Sequence, residues 1–247
     1  MSTISRKPLL IHIGTHKTGS TSFQSYLKGH AEELKENGFS VVPYQDAKIA
    51  ACLSVRDGLP IPGRHLFERD GRKSTEKKLR SRISEFYDDN NANTIVISCE
   101  HLSYFRTTEE VDHLLSYFEE HNEIDIFVVV REKADFLRSY EAQVKKTGHG
   151  PVHEDKSSPY YCGEDSWLID YDGMQAPWIA RANKFHKLSY ETENIVTDLI
   201  VSLKLPDLSG KKEYRANVTP SQFRSIAVWA LKKVRLHGVA HALYNFY

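Results

Sequence analysis

Cysteine, net charge and long apolar runs are all scarce in this sequence. Its 247 residues include three cysteines, and 33 basic side chains balance 33 acidic ones. Cys52, Cys99 and Cys162 are widely spaced and odd in number, which argues against a disulfide framework and favours a cytoplasmic location. Zero formal charge provides no overall field to attract nucleic acid. The apolar run 9–13 is too short for a signal peptide or a membrane span, so we expect no membrane insertion.

Short apolar runs alternate with helical patterns along the chain. Strands are predicted at 8–13, 39–42, 94–98, 124–130 and, more weakly, 188–190. Helices are predicted at 74–89, 134–146, 166–184 and 194–205, between Thr21 and Gly38, after the capping box of Thr107 and Glu110, and after Thr219. The stretch 44–73 shows no clear period and is expected to be irregular. This alternation predicts one α/β domain over residues 1–247, with a central, mostly parallel sheet flanked by helices and 124–130 as a central strand.

The loop 14–21, GTHKTGST, joins the first strand to the first helix. In a parallel sheet, ligands bind beyond the carboxyl ends of the strands, where this loop lies. Its glycines allow a close backbone approach, and free amides at the helix start favour an anion. Lys17 adds a positive charge, and hydroxyl donors follow at Thr18, Ser20 and Thr21. The loop therefore predicts a phosphate or sulfate site.

The loop differs from a nucleoside-triphosphate loop, G-x-x-x-x-G-K-[ST], at the residue that defines it. Gly14 and Gly19 fit the pattern, but Ser20 stands where the lysine is required, and Lys17 precedes Gly19. A phosphoryl-transfer enzyme that uses ATP and magnesium stays open as an alternative, with Glu100 as its acidic metal ligand. A non-catalytic nucleotide-binding module is a second alternative.

The segment 16–21, HKTGST, resembles the loop that binds the 5′-phosphosulfate in the sulfotransferases that use 3′-phosphoadenosine 5′-phosphosulfate (PAPS), in particular the bacterial, carbohydrate-sulfotransferase-like ones. The resemblance implies a P-loop-like sulfotransferase fold and PAPS as the sulfuryl donor. It also implies that Lys17 contacts the bridging oxygen of the departing phosphate. The donor-binding residues implied in this loop are His16, Lys17, Thr18, Gly19, Ser20 and Thr21.

A second motif of that family is an arginine at the end of a later strand, followed eight residues on by a serine in the next helix. Arg131 and Ser139 reproduce this spacing. The resemblance implies that both bind the 3′-phosphate, and the forked guanidinium suits such a ligand. Many members of that family have proline at the position of Lys133. This difference removes no residue that would bind the phosphate.

Sulfuryl transfer to a hydroxyl needs a general base but little negative charge has to be neutralised, so we expect no metal. The strand 94–98 delivers Glu100 and His101 to the carboxyl edge of the sheet. Glu100 is the preferred base, with His101 and His16 as the other candidates. Hydrogen bonding to neighbouring loops is the structural alternative for Glu100 and His101.

The acceptor is expected to be a carbohydrate or another hydroxyl compound, as the resemblance implies. Aromatic side chains that could stack on sugar rings are Tyr160, Tyr161, Trp167, Tyr171 and Trp178, although core packing also explains Trp178. The polar loop 147–158 is a candidate lid. The basic run 64–82 could attract an anionic polysaccharide or form a solvated helix face, and Lys211, Lys212 and Arg215 could lie near the donor or in solvent. The sequence carries no signal for the oligomeric state.

Overall fold

A computed structural model describes residues 8–59, 61, 67, 70–88, 94–118, 123–146, 152–208 and 210 of the chain. The strands in these residues are β1 Leu9–His12, β2 Phe39–Val41, β3 Thr94–Ser98, β4 Ile124–Val130 and β5 Lys184–Ser189. The α-helices are α1 Ser20–Gly29, α2 Ala31–Glu36, α3 Tyr44–Ser54, α4 Arg72–Asp88, α5 Thr108–Leu115, α6 Lys133–Lys146, α7 Tyr171–Ile179 and α8 Ile195–Ser202. Short 3-10 helices occupy Glu100–Tyr104 and Trp167–Ile169.

The strands form one sheet in the order β2-β3-β1-β4-β5, and every adjacent pair is parallel. Strand β1 is central, with His12 opposite Ser98 of β3 and Phe127 of β4. The chain therefore leaves β1, β3 and β4 at one carboxyl edge. The predicted α/β fold with a central parallel sheet flanked by helices is confirmed, and 124–130 is an interior strand as predicted.

Alternate residues of each strand pack on opposite faces of the sheet, as the pleat requires. On one face, Ile11, Ile97 and Val128 join a core with α3, α5, α6 and α7. On the other face, Val96 and Phe127 pack against α1 and α8. Because both faces are covered, the inner strands read as continuous apolar runs.

The prediction that 44–73 is irregular is wrong for its first part, where α3 runs from Tyr44 to Ser54. The buried face of α3 consists largely of alanine, at positions 47, 50 and 51, with Leu53. Such small residues produce only a weak helical pattern, although alanine has the highest helix propensity. Pro43 occupies the N-cap position and marks the start of this helix.

Two other predictions differ in extent, and a third is confirmed. Strand β5 is longer than the predicted 188–190, because an edge strand that is half exposed carries polar residues such as Lys184 and Lys187. The predicted helix 166–184 is divided into a 3-10 turn and α7. The capping box of α5 is present, with Thr107 Oγ1 accepting from the Glu110 amide and Glu110 Oε2 accepting from the Thr107 amide.

Several predictions lie outside the described residues, namely the helix after Thr219, the basic residues Lys211, Lys212 and Arg215, and residues 147–151 of the candidate lid. Among the described residues, no helix is long and apolar enough to cross a membrane. The three cysteines form no disulfide in this part of the chain.

Candidate active site

The loop after β1 runs directly beside β4 and the start of the segment after β3. The Thr15 amide donates to the Val129 carbonyl at 2.9 Å, which extends the pairing of β1 with β4. A Cβ atom on Gly14 would lie 3.0 Å from the Glu100 Cα. The loop and Glu100 are therefore in backbone contact, and a side chain at position 14 would separate them.

The loop turns through left-handed backbone at Gly14, Lys17 and Gly19, with φ values of 92°, 63° and 80°. Two hydroxyls hold this turn, because Thr18 Oγ1 and Ser20 Oγ donate to the Thr15 carbonyl at 2.6 and 3.1 Å. Both side chains are buried, whereas Thr21 is exposed at the start of α1. The structure thus gives Thr18 and Ser20 a role in shaping the loop.

The N-terminus of α1 has no side-chain cap among the residues that the structure describes. The N-cap residue is Gly19, which has no side chain to accept a hydrogen bond. The first turn of α1 contains no acidic residue. The first amides of a helix need an acceptor, and they favour an anion. The amides at this end of α1 suit a phosphate or sulfate, and the anion site itself stays a prediction.

Lys17 and Arg131 are brought together at this loop. Arg131 Nη1 donates to the Lys17 carbonyl at 3.3 Å, and its guanidinium lies 4.7 Å from the centre of the Tyr190 ring. The Tyr171 hydroxyl donates to the Arg131 carbonyl at 2.7 Å. These contacts hold the arginine against the loop, while Ser139 lies partly buried on α6 with no hydrogen bond to the described loop.

A third cation, which the sequence analysis missed, acts on Lys17. Burial lowers the pKa of Lys17, and the charges of Lys146 and Arg131 lower it further. Lys146 is the last residue of α6, the helix that begins just after Arg131. Converging positive charges repel one another and stabilise an anion bound between them.

A cavity of about 240 Å³ adjoins the loop 14–21 at His16, which is one of its lining residues. Its walls come from α3, the 3-10 turn after β3, and α6, and they include Tyr44, Lys48, Glu100, His101, Tyr104 and Tyr140. Of these, Glu100 and His101 were predicted as site residues and the others were not. We call the loop 14–21 the anion loop. It shares His16, the residue before Lys17, with the cavity.

Glu100 is held in this cavity by two donors from separate helices. The Tyr44 hydroxyl donates to Oε1 at 2.8 Å, and Gln24 Nε2 donates to Oε2 at 2.9 Å. Burial by itself raises the pKa of Glu100, but the imidazoles of His101 and His16 and the Gln24 amide outweigh burial and lower it below the ordinary value. Hydrogen bonds donated to a carboxylate favour its charged form, so the Gln24 amide acts in the same direction as the imidazoles.

His16 is a neutral imidazole enclosed by aromatic rings. Its ring centroid lies 4.9 Å from that of Tyr104 and 5.8 Å from that of His101. Burial lowers the pKa of His16 to about 3, against the attraction of Glu100. Its Nε2 is buried and has no hydrogen-bond partner among the described residues, so a ligand in the cavity could supply one.

Cys99, Glu100 and His101 offer ligand atoms that lie within 4.8 Å of one another. Burial raises the pKa of the Cys99 thiol well above its ordinary value, which disfavours the thiolate that binds metals. Both Glu100 oxygens already accept hydrogen bonds. These donor groups do not fit a metal ion, and the expectation of no metal remains a prediction.

Of the aromatic residues proposed for the acceptor, Tyr160 lines the cavity. Trp178 is fully buried and stacks on Phe105, as the core-packing alternative states. Trp167 lies under the Arg106 guanidinium at 4.7 Å. Much of the basic run is engaged in surface ion pairs, with partners for Arg72, Lys78, Arg80 and Arg82 on Asp57, Asp70, Glu76 and Asp46. This pairing agrees with a solvated helix face.

No family model and no curated relative matches the sequence. The structure is similar to that of a sulfotransferase from Alicyclobacillus acidocaldarius, with a TM-score of 0.54 and 11% identity over 95% of this chain and 96% of that chain. The chain has a sulfotransferase-like fold.

Two further likenesses are weaker. A sulfotransferase domain from the curacin biosynthetic pathway has a TM-score of 0.46 at 12% identity, over 81% of this chain and 75% of that chain. A GTPase from Pyrococcus abyssi has a TM-score of 0.27 at 11% identity, over 81% of this chain and 97% of that chain. At these scores neither adds to the assignment of the sulfotransferase-like fold.

Proposed function

We propose that this chain is a sulfotransferase that moves a sulfuryl group from PAPS to a hydroxyl, on an acceptor that we expect to be a carbohydrate. The observation that carries the proposal is the shared wall between two sites. The loop that holds Lys17 against Arg131 contains His16, and His16 also lines the cavity that contains the Glu100 carboxyl group. Donor and acceptor bound at these places would meet at His16 and Glu100.

The loop residues would bind the phosphosulfate and stabilise the departing charge. The first amides of α1 have no side-chain cap and are held in place by the helix, so they would stabilise charge as it develops without reorganising, and the Lys17 ammonium would add a positive charge. In the transfer, the acceptor oxygen forms a bond to sulfur as the bond from sulfur to the phosphate oxygen breaks. The electron pair stays on that phosphate oxygen, where Lys17 would neutralise it.

Arg131 would hold the second phosphate of the donor. Its guanidinium is fixed by the Lys17 carbonyl and the Tyr190 ring, so little side-chain entropy is lost when a ligand binds. Because Arg131 lies beside the loop, one ligand would contact the guanidinium and the loop residues together. Ser139, on α6, would contribute a hydroxyl to the same phosphate.

Glu100 would accept the proton that the acceptor hydroxyl loses. It lines the cavity and its pKa lies below the ordinary value, but both oxygens accept hydrogen bonds. The incoming hydroxyl would therefore replace or share the Tyr44 bond, and loss of that donor raises the basicity of Glu100. His16, neutral and with a buried Nε2 open to a ligand, is the second candidate for this role.

The proposal is tested by calorimetric titration with adenosine 3′,5′-bisphosphate, and separately with ATP and magnesium. We expect the bisphosphate to bind without metal and more tightly than ATP. Arg131→Ala should weaken it by about 10- to 100-fold, the usual effect of losing a hydrogen bond to a charged group. Arg138→Ala, on an exposed residue of the same helix region, is the matched control.

Lys17→Met separates binding from transfer. We expect it to bind the bisphosphate nearly as well as wild type and to lose most sulfuryl transfer, because its role lies in the transition state. Binding of ATP and magnesium without binding of the bisphosphate would reject the sulfotransferase proposal. Normal bisphosphate binding by Arg131→Ala would reject the assignment of that residue.

A further inference from the structure

Lys48 places a positive charge in the cavity that contains Glu100. It lies on α3 one turn after Tyr44, so both side chains point from the same helix face into the cavity. Lys48 is partly buried and has no ion pair or hydrogen bond in the part of the chain that the structure describes. An ammonium group in such a place favours an anionic partner.

The acidic groups near Lys48 are already engaged. Asp46, also on α3, pairs with Arg82 at 2.7 Å. Glu100 accepts from Tyr44 and Gln24 and makes no ion pair with Lys48, although both line the same cavity. The cavity therefore offers a negative group and a positive group at separate positions.

The charge of Lys48 acts within the cavity. After burial, the pKa of His16 responds to Glu100, which raises it, and to His101, Lys17 and Lys48, which lower it. The other polar walls are phenols and the Gln143 amide, which carry no charge at neutral pH. Lys48 is thus the cation that a ligand in this cavity would meet.

We propose that Lys48 selects an acceptor that carries an anionic group on the same small unit as its reactive hydroxyl. This inference rests on the proposed function. The hydroxyl would point to Glu100 and the anionic group to Lys48, so each end of the acceptor meets a group of complementary chemistry. A neutral acceptor would cover Lys48 without pairing it, which costs free energy.

The size of the cavity limits the acceptor unit. At about 240 Å³ it is smaller than the roughly 300–1,000 Å³ pockets that enclose drug-sized ligands. It suits one ring, with Tyr104, Tyr140 and Tyr160 as polar and aromatic walls. A sugar ring that carries a carboxylate has this size and both required groups.

The test compares two probes that differ at one carbon, methyl β-D-glucuronide and methyl β-D-glucoside. Their affinities are measured by ligand-detected NMR with the full chain, with and without saturating adenosine 3′,5′-bisphosphate. We expect wild type to prefer the glucuronide by about 10-fold or more, as for one hydrogen bond to a charged group. Equal affinity, or no detectable glucuronide binding, would overturn the inference.

Variants assign the preference to Lys48. Lys48→Gln should abolish the preference by weakening glucuronide binding without weakening glucoside binding, and Lys48→Arg should retain the preference because the charge is kept. Lys28→Gln, on the exposed last turn of α1, is the matched control and should behave as wild type. A preference that survives Lys48→Gln would also overturn the inference.

The experiment separates this inference from the proposed function. Binding of the bisphosphate with no Lys48-dependent preference would leave the sulfotransferase proposal standing and reject the role of Lys48. A Lys48-dependent preference without bisphosphate binding would support an acidic-sugar site and reject PAPS as the donor.

Discussion

The position of Glu100 connects the anion loop to the cavity. Gln24 reaches it from α1, the helix that follows the loop, and Tyr44 reaches it from α3. A shift of either helix would move the carboxylate or change its basicity. The residue is therefore placed by the elements that also shape the two sites.

Glu100→Gln tests the role of this carboxylate. We expect bisphosphate affinity to be preserved and sulfuryl transfer to fall about 100- to 10,000-fold, the range of general acid–base catalysis. The readout is the rate of adenosine 3′,5′-bisphosphate release with acceptor, beside calorimetric binding. Unchanged turnover would exclude Glu100 as the base and leave His101 and His16 as the candidates.

Tyr44→Phe tests the hydrogen bond to Glu100 without removing the ring. Loss of this donor should raise the pKa of Glu100 toward its ordinary value. A base works only when deprotonated, so the acid limb of the pH–rate profile should move to higher pH. The profile of kcat/KM checks this, and an unmoved limb would show that Tyr44 does not control Glu100.

At the scale of elements, the turn between β1 and α1 depends on one glycine. Gly19 has φ 80°, and a Cβ atom there would lie 2.7 Å from Ile195 Cγ2 of α8. Both backbone strain and the contact with α8 therefore require glycine. This close approach holds the anion loop against α8, which packs on the same face of the sheet as α1.

Gly19→Ala should lower the free energy of unfolding by about 2–4 kcal/mol, from the left-handed backbone and from overpacking. Gly71→Ala is the matched control, because Gly71 has φ 77° but open space around it. Backbone strain alone predicts about 1–2 kcal/mol for the control. Urea unfolding measures both, and equal losses would show that the Ile195 contact relaxes freely.

The N-terminus of α5 is held by its capping box rather than by a ligand. Thr107→Ala removes the cap to the Glu110 amide and should cost about 1 kcal/mol in urea unfolding. Thr108→Ala, one residue later, should change stability by less than about 0.5 kcal/mol. The reverse order of effects would contradict the assigned cap.

At the scale of the whole molecule, the sheet has two cores and buries imidazoles beside them. His12, inside β1, accepts or donates at 2.8 Å with Ser98 Oγ. Burial lowers its pKa to about 4 and that of His16 to about 3. The folded protein therefore resists binding protons that the unfolded chain takes up near its ordinary histidine pKa of about 6.5.

This difference predicts a loss of stability in mild acid. A depressed histidine pKa means that the unfolded state binds more protons below about pH 6.5, so the free energy of unfolding falls as pH falls. Each histidine contributes a slope of up to about 1.4 kcal/mol per pH unit. Urea unfolding at pH 7, 6 and 5 measures the slope. His12→Asn should reduce the slope by the contribution of one histidine. A free energy of unfolding that is constant over this range would contradict the burial of these histidines.

The sequence determined strands β1 to β4, the loop between β1 and α1, and the place of Arg131 after β4. These features follow from local rules, because buried parallel strands are continuous apolar runs and a loop between strand and helix is recognised from adjacent residues. Glu100 and His101 were placed at the sheet edge by the end of β3 in the same way. Ser139 was placed on its helix, whereas its contact with the loop was not determined.

Only the tertiary structure decided what surrounds Glu100 and Lys17. Tyr44 and Lys48 lie on a helix that the sequence analysis missed, because its alanine-rich buried face produces a weak pattern. Gln24 meets Glu100 across 76 residues of chain. Such contacts depend on how helices pack on the sheet, and packing leaves no periodic signal near either residue. The loop could therefore be predicted from adjacent residues, whereas the cavity beside it depends on contacts between residues that are distant in the sequence.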